Sequence, residues 1–138
     1  MDINDREYKL VLPKFSNNER RIKPEEIESF AKRMTDQFGG VIVIPSVLGC
    51  YAGEQGLVCE ENVVLSSSRD SESTSNFRDQ TRKDESFIND MAHRAGKRFG
   101  QESIMISQSK TEVSFPQGTY SKNLPDMRVG IDFFRKLI

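Results

Sequence analysis

Two stretches of this chain carry one apolar pattern. Ile27, Phe30, Ala31, Met34 and Phe38 fall at i, i+3, i+4, i+7 and i+11, and Ile88, Met91, Ala92, Ala95 and Phe99 repeat that spacing 61 residues later. Such spacing gathers the apolar groups on one stripe of an α-helix. Pro24 stands where the first helix begins, at a position whose N–H is unpaired anyway, and Glu25, Glu26 and Glu28 suit the positive end of its dipole. Gly39 closes the first segment and Gly100 the second, which runs from about Asp84 to Phe99.

Strand-like runs surround both helices. Tyr8, Leu10 and Leu12 alternate with Lys9 and Val11, the mark of a strand with one buried face. Residues 41–51 are β-branched and nearly continuous, and Pro45 removes a ladder donor there, so this strand belongs at a sheet edge or at a bulge. Gly53-Glu54-Gln55-Gly56 is a turn, and residues 57–65 return as the second arm of a hairpin. Residues 103–115 form the fourth strand, or a hairpin turning near Ser109-Lys110. Strand, helix, strand, strand, helix, strand in matching halves predicts an α+β, ferredoxin-like βαββαβ domain over residues 1–115. In that fold a four-stranded antiparallel sheet carries both helices on one face.

Two segments fall outside this frame. Residues 66–83 are rich in Ser, Asp, Glu and Arg and read as a flexible loop, either disordered or able to order over a ligand or partner. Residues 116–138 read as a linker to Pro125 followed by an apolar C-terminal segment, in which Ile131, Phe134 and Ile138 share one side of a short helix. Such a tail must dock on its own domain or on a neighbouring copy. Two helices leave the second sheet face open. Val41–Ile44 and Val63–Leu65 place apolar groups on both faces, so that face should be covered, by a homodimer or other homo-oligomer or else by the C-terminal segment.

Composition bounds the function. Twenty Lys plus Arg against 21 Asp plus Glu gives a net charge of −1, which argues against a polyanion-binding domain. Basic clusters do occur, at Arg20-Arg21-Lys23 and Arg94-Lys97-Arg98. The third strand, however, has no aromatic and two acids, so RNA recognition of the kind this fold supports is not expected. No phosphate-cradle or nucleophile-elbow motif is present. No run approaches the roughly 18 apolar residues of a membrane helix, and no signal peptide is visible at the start, which predicts a cytoplasmic chain. No metal site or cofactor is indicated.

Few side chains suggest chemistry. His93, the single histidine, falls on the polar side of the second helix and is a poor base or ligand there. Cys50 and Cys59 are symmetric about the turn, so a two-residue loop sets them opposite each other, either as a cross-strand disulfide or as two reduced, half-buried thiols. Glu60-Glu61 lies in what should be a central strand, where successive residues face opposite sides. One of the pair should therefore enter the helix-covered layer and need a partner or a raised pKa. Tyr51, Gln101 and Glu102 lie near strand ends and are candidates to converge with Glu60 and Glu61 in a ligand pocket.

The order Phe38-Gly39-Gly40, Gly49-Cys50-Tyr51, Glu60-Glu61 before Val63-Val64-Leu65, then Phe99-Gly100-Gln101-Glu102-Ser103-Ile104-Met105 resembles a bacterial family of small domains of unknown function. In that family a helix ends in Phe-x-Gly, a Gly-x-aromatic strand and a strand Glu follow, and Phe-x-Gln-Glu-Ser-Val opens the last strand. The resemblance spans about residues 8–115. It implies the same fold and marks Tyr51, Glu61, Gln101 and Glu102, with Tyr51 where family members often have Trp. No established activity comes with it. The reading is a non-enzymatic, self-associating module that binds a small ligand or protein partner. The alternative is a small enzyme using Glu60 or Glu61, with Tyr51 and Gln101, for proton transfer or hydrolysis in a sheet-face cavity. A third reading makes the serine-rich loop and the basic clusters a docking surface.

Overall fold

The computed structural model of the chain describes residues 5–116, 118 and 127–138, with side chains in the last segment from Gly130 onward. It is an α+β structure. Strand β1 is Asp5–Pro13, helix α1 Pro24–Phe38, β2 Ile42–Gly53, β3 Gly56–Arg69, α2 Phe77–Phe99, β4 Ile106–Thr111 and helix α3 Met127–Leu137. The four strands form one sheet in the order β2-β3-β1-β4, and every neighbouring pair is antiparallel. No helix among the described residues is long and apolar enough to cross a membrane.

The two amphipathic stripes explain the packing. Ile27, Phe30, Ala31, Met34 and Phe38 of α1 join Ile88, Met91, Ala95 and Phe99 of α2 in one core with Tyr8, Leu10, Leu12, Val63 and Leu65. The strand members of that core alternate along β1 and β3, so both helices lie on one side of the sheet. Gly39 (φ 90°) and Gly100 (φ 64°) end the helices in the left-handed region that a side chain would disfavour. Pro45 sits on an edge strand within a register shift between Ile44 and Val47, where no ladder bond is lost.

The polar stretch 66–83, expected as a flexible loop, is mostly regular. Ser66 to Arg69 complete β3, Ser71–Ser73 make a single 3₁₀ turn, and α2 begins at Phe77, seven residues before the expected start. Ser66, Ser67 and Ser68 hold because each pairs across to β1, and two of their hydroxyls find a bond: Ser67 Oγ donates to the Gly40 carbonyl at 2.7 Å, and Ser66 Oγ to Glu7 at 3.2 Å. The early turns of α2 hold because Asp84, fully buried, receives Arg69 Nε at 2.9 Å and Nη2 at 3.0 Å, together with the amides of Gln37 and Gln80. The expected long fourth strand shortens to the six residues of β4. The linker expected over 116–125 lies, apart from Pro116 and Gly118, outside the described residues.

The described part of the C-terminal segment does not cover the open sheet face. Ile138 is buried in the helix-side core with Phe134 against it, Arg135 Nε pairs with Glu28 of α1 at 3.1 Å, and Arg21 donates to the Ile138 carbonyl at 2.6 Å. Helix α3 therefore docks beside α1, and the intramolecular cover considered for the open face is absent among the described residues.

Candidate functional site

Strand β1 ends at Pro13, which pairs with Asn62. Before Asn62, β3 has only β2 as a neighbour, so residues 47–61 form a two-stranded ribbon that runs past the end of the layered body. This single termination corrects the expectation for Glu60 and Glu61. Neither enters the helix-covered layer, and both are exposed. Glu61 accepts from Lys14 Nζ at 3.0 Å and Ser46 Oγ at 3.0 Å, and its backbone carbonyl takes the Lys14 N–H. The Lys14 hydrogen bond first, then that of Ser46 and the Lys14 charge, hold the Glu61 carboxyl below its usual range. The shift runs opposite to the raised pKa that burial demands, and it leaves Glu61 an ionised anchor rather than a proton donor.

The bare edge of the ribbon and the loop after β1 enclose a groove. Its walls include Phe15, Ser16, Asn17, Val58, Glu60, Glu61 and Gln101. The structure thus places Glu60, Glu61 and Gln101 on one groove. Gln101 Nε2 donates to Asn17 Oδ1 at 3.1 Å across the two loops. Glu102 does not join them and borders a separate groove with His93, Gln101 and Ser103. Tyr51 lies further along the ribbon, exposed and opposite Val58. Sequence reasoning missed Ser16, whose hydroxyl is buried in the groove wall without a hydrogen-bond partner. Its position after a Pro-terminated strand was the signal available.

Cys50 and Cys59 pair directly and are bonded as a cross-strand disulfide, the first of the two alternatives. The bond ties the ribbon midway. Around it the ribbon exposes large apolar groups: Leu48 is 70% and Leu57 77% exposed, with Tyr51 and Val58 also open to solvent.

The ribbon continues into an apolar row on the open sheet face. Val11 faces Val64 on β3 and meets Met105 through a backbone bond of 3.0 Å, while Val64 faces Ile44 on β2. Met105, Val11, Val64 and Ile44 therefore cross the sheet in one line. Met105 is 66% and Ile44 39% exposed. Ser107, Lys9 and Ser66 form the next row, polar until the exposed Ile42 of β2 ends it.

No protein-family model matches the sequence, and no curated protein matches it. Solved structures do. A phage SAM lyase in complex with S-methyl-5′-thioadenosine aligns with a TM-score of 0.55 at 12% identity, over 80% of this chain and 84% of that one. The likeness is one of fold. The divalent cation tolerance protein CutA1 of Thermus thermophilus aligns with a TM-score of 0.46 at 13% identity over 96% of each chain. The CutA1 of Ehrlichia chaffeensis aligns at 0.44 and 8% identity, over 99% of this chain and 97% of that one.

Proposed function

We propose that this chain is a ferredoxin-like βαββαβ module that self-associates through its open sheet face and its ribbon, and that the groove at the ribbon's base binds a small ligand or peptide segment. The observation that carries this reading is the apolar line Met105–Val11–Val64–Ile44, exposed at its two ends and continuous with Val47, Tyr51 and Val58. An apolar centre with a polar rim is the anatomy of a protein interface. A two-stranded ribbon is marginal by itself and, with apolar groups on both faces, gains from a partner that covers it. A second copy suits best, because an isologous contact brings the same apolar line onto itself. Glu60, Glu61 and Gln101 then face a groove close to that contact, and Tyr51 lies in it. The Lys14–Glu61 pair favours binding over proton transfer, since it fixes the charge of the carboxylate best placed to act.

Light scattering after gel filtration tests the reading. The wild-type chain should elute at a multiple of 15.8 kDa. The double variant Ile44→Lys, Met105→Lys should elute as a monomer with an unchanged far-UV spectrum. A wild-type chain that stays monomeric at its highest soluble concentration refutes it.

A further inference from the structure

A second cleft, sharing no wall residue with the groove at the ribbon's base, lies between α2 and β4. It encloses about 240 Å³ and is lined by Tyr8, Glu85, Ile88, Asn89, Ile106, Ser107 and Gln108. At its floor Tyr8 is 1% exposed, and its hydroxyl has no hydrogen-bond partner. Buried hydroxyls without partners are rare, and each calls for an explanation. The adjacent Asp84 does not supply one, because its oxygens already accept four bonds from Arg69, Gln37 and Gln80. Burial, helped by the charges of Asp84 and Glu85, pushes the phenol up to about 12, so the hydroxyl stays protonated at neutral pH.

The mouth is built from acceptors. Gln108 Nε2 donates to Glu85 Oε1 at 3.2 Å, and Asn89 Nδ2 donates to the Glu85 carbonyl at 2.9 Å. Each amide has spent one of its two N–H groups on the protein, which leaves Asn89 Oδ1 and Gln108 Oε1 open beside one remaining N–H apiece. Glu85 has no ion-pair partner among the described residues. The inventory is then four acceptor atoms (Glu85 Oε2, Gln108 Oε1, Asn89 Oδ1 and Tyr8 Oη) and one unpaired negative charge, beside three donors, the Tyr8 O–H and the second N–H of each amide. Ile88 and Ile106 supply apolar walls.

From this arrangement we infer that the α2–β4 cleft is a binding site for a small organic cation, a primary ammonium on a short alkyl stem. The ammonium divides its three protons among Glu85, Asn89, Gln108 and the Tyr8 oxygen, and the stem lies between Ile88 and Ile106. Three donors on a compact charge match the acceptor set and the unpaired Glu85 carboxylate, whereas an anion would meet that carboxylate's charge. A volume of this size takes a molecule of several heavy atoms rather than one water, whose share is about 30 Å³.

Nitrogen-15 NMR of the full chain titrated with propylammonium chloride tests the site, with sodium propionate and sodium chloride as controls. Amides of residues 85–89 and 106–108 should shift saturably with propylammonium and with neither control. Glu85→Gln should weaken binding by about tenfold, the order expected for losing a charged hydrogen-bond partner, and Tyr8→Phe should weaken it measurably while leaving the fold intact. Linear shifts, equal shifts with sodium chloride, or unchanged affinity in Glu85→Gln would overturn the inference.

Discussion

Asp84→Ala is the most informative single change to the fold. Asp84 is fully buried and accepts four hydrogen bonds, two of them from Arg69, whose Nη2 also donates to the Gln37 carbonyl at 2.7 Å and whose guanidinium lies 5.2 Å from the Phe38 ring centroid. The pair thus joins the end of β3, the C-terminus of α1 and the third turn of α2. Removing the carboxylate strands a largely buried cation and leaves two amides without their acceptor. Breaking a buried pair from one side costs about 3–5 kcal/mol. Against the roughly 5–15 kcal/mol that holds an ordinary domain, this is a fifth or more of the total. Urea unfolding of Asp84→Ala should show a lower midpoint at unchanged slope, and residues 77–83 should exchange their amides faster than the core of α2. The double change Arg69→Met, Asp84→Leu should recover much of the loss, because no charge is then left unpaired. A cost below about 1 kcal/mol, the level of a surface pair, would refute the reasoning.

Three further outcomes follow from the same contacts. The N–H groups of Ser71 and Val113, with the Ser71 hydroxyl, hold the Asp5 carboxyl below its ordinary range. A depressed folded-state pKa contributes stability that is present above the unfolded value and is lost as pH falls through the folded one. Melting temperature should therefore drop as pH falls below about 4, and Asp5→Asn should flatten that part of the curve. Tyr8→Phe deletes an oxygen that makes no bond, so the ligand-free chain should keep its stability or gain about 1 kcal/mol in urea unfolding. Thiol labelling of the chain as isolated should find no free cysteine, and reduction should ease opening of the ribbon by about 2–3 kcal/mol while the core keeps its exchange protection. A cytoplasmic setting and a persistent bond make opposite demands, and that labelling decides between them.

Much of the architecture was legible in the sequence because it rests on local rules. Pro24, Glu25 and Glu26 at the start of α1, the apolar stripe and Gly39 after it all act within one helix, and every residue of that stripe is buried. The hairpin and the pairing of Cys50 with Cys59 follow from the length of one turn. What escaped depends on distant partners. The continuation of β3 through Ser66 to Arg69 is set by pairing with β1, and the early start of α2 by the Arg69–Asp84 pair, neither of which polar composition reveals. Glu60 and Glu61 were placed in a central strand because the relative lengths of β1 and β3 are a tertiary quantity. β3 outruns β1, and the same two carboxylates become walls of an exposed groove. Glu102 differs from its neighbour Gln101 by one step around the chain after Gly100, enough to send it to another groove.

The account turns on whether copies of the chain meet across the open face. Mixing carbon-13-labelled and unlabelled chains and recording isotope-filtered NOEs observes that contact itself. Cross-copy signals should connect the methyl groups of Ile44, Val64, Val11 and Met105, and should vanish in the Ile44→Lys, Met105→Lys variant. Sharp spectra at the diffusion rate of a single chain, with no filtered signal from those four methyl-bearing side chains, would contradict it.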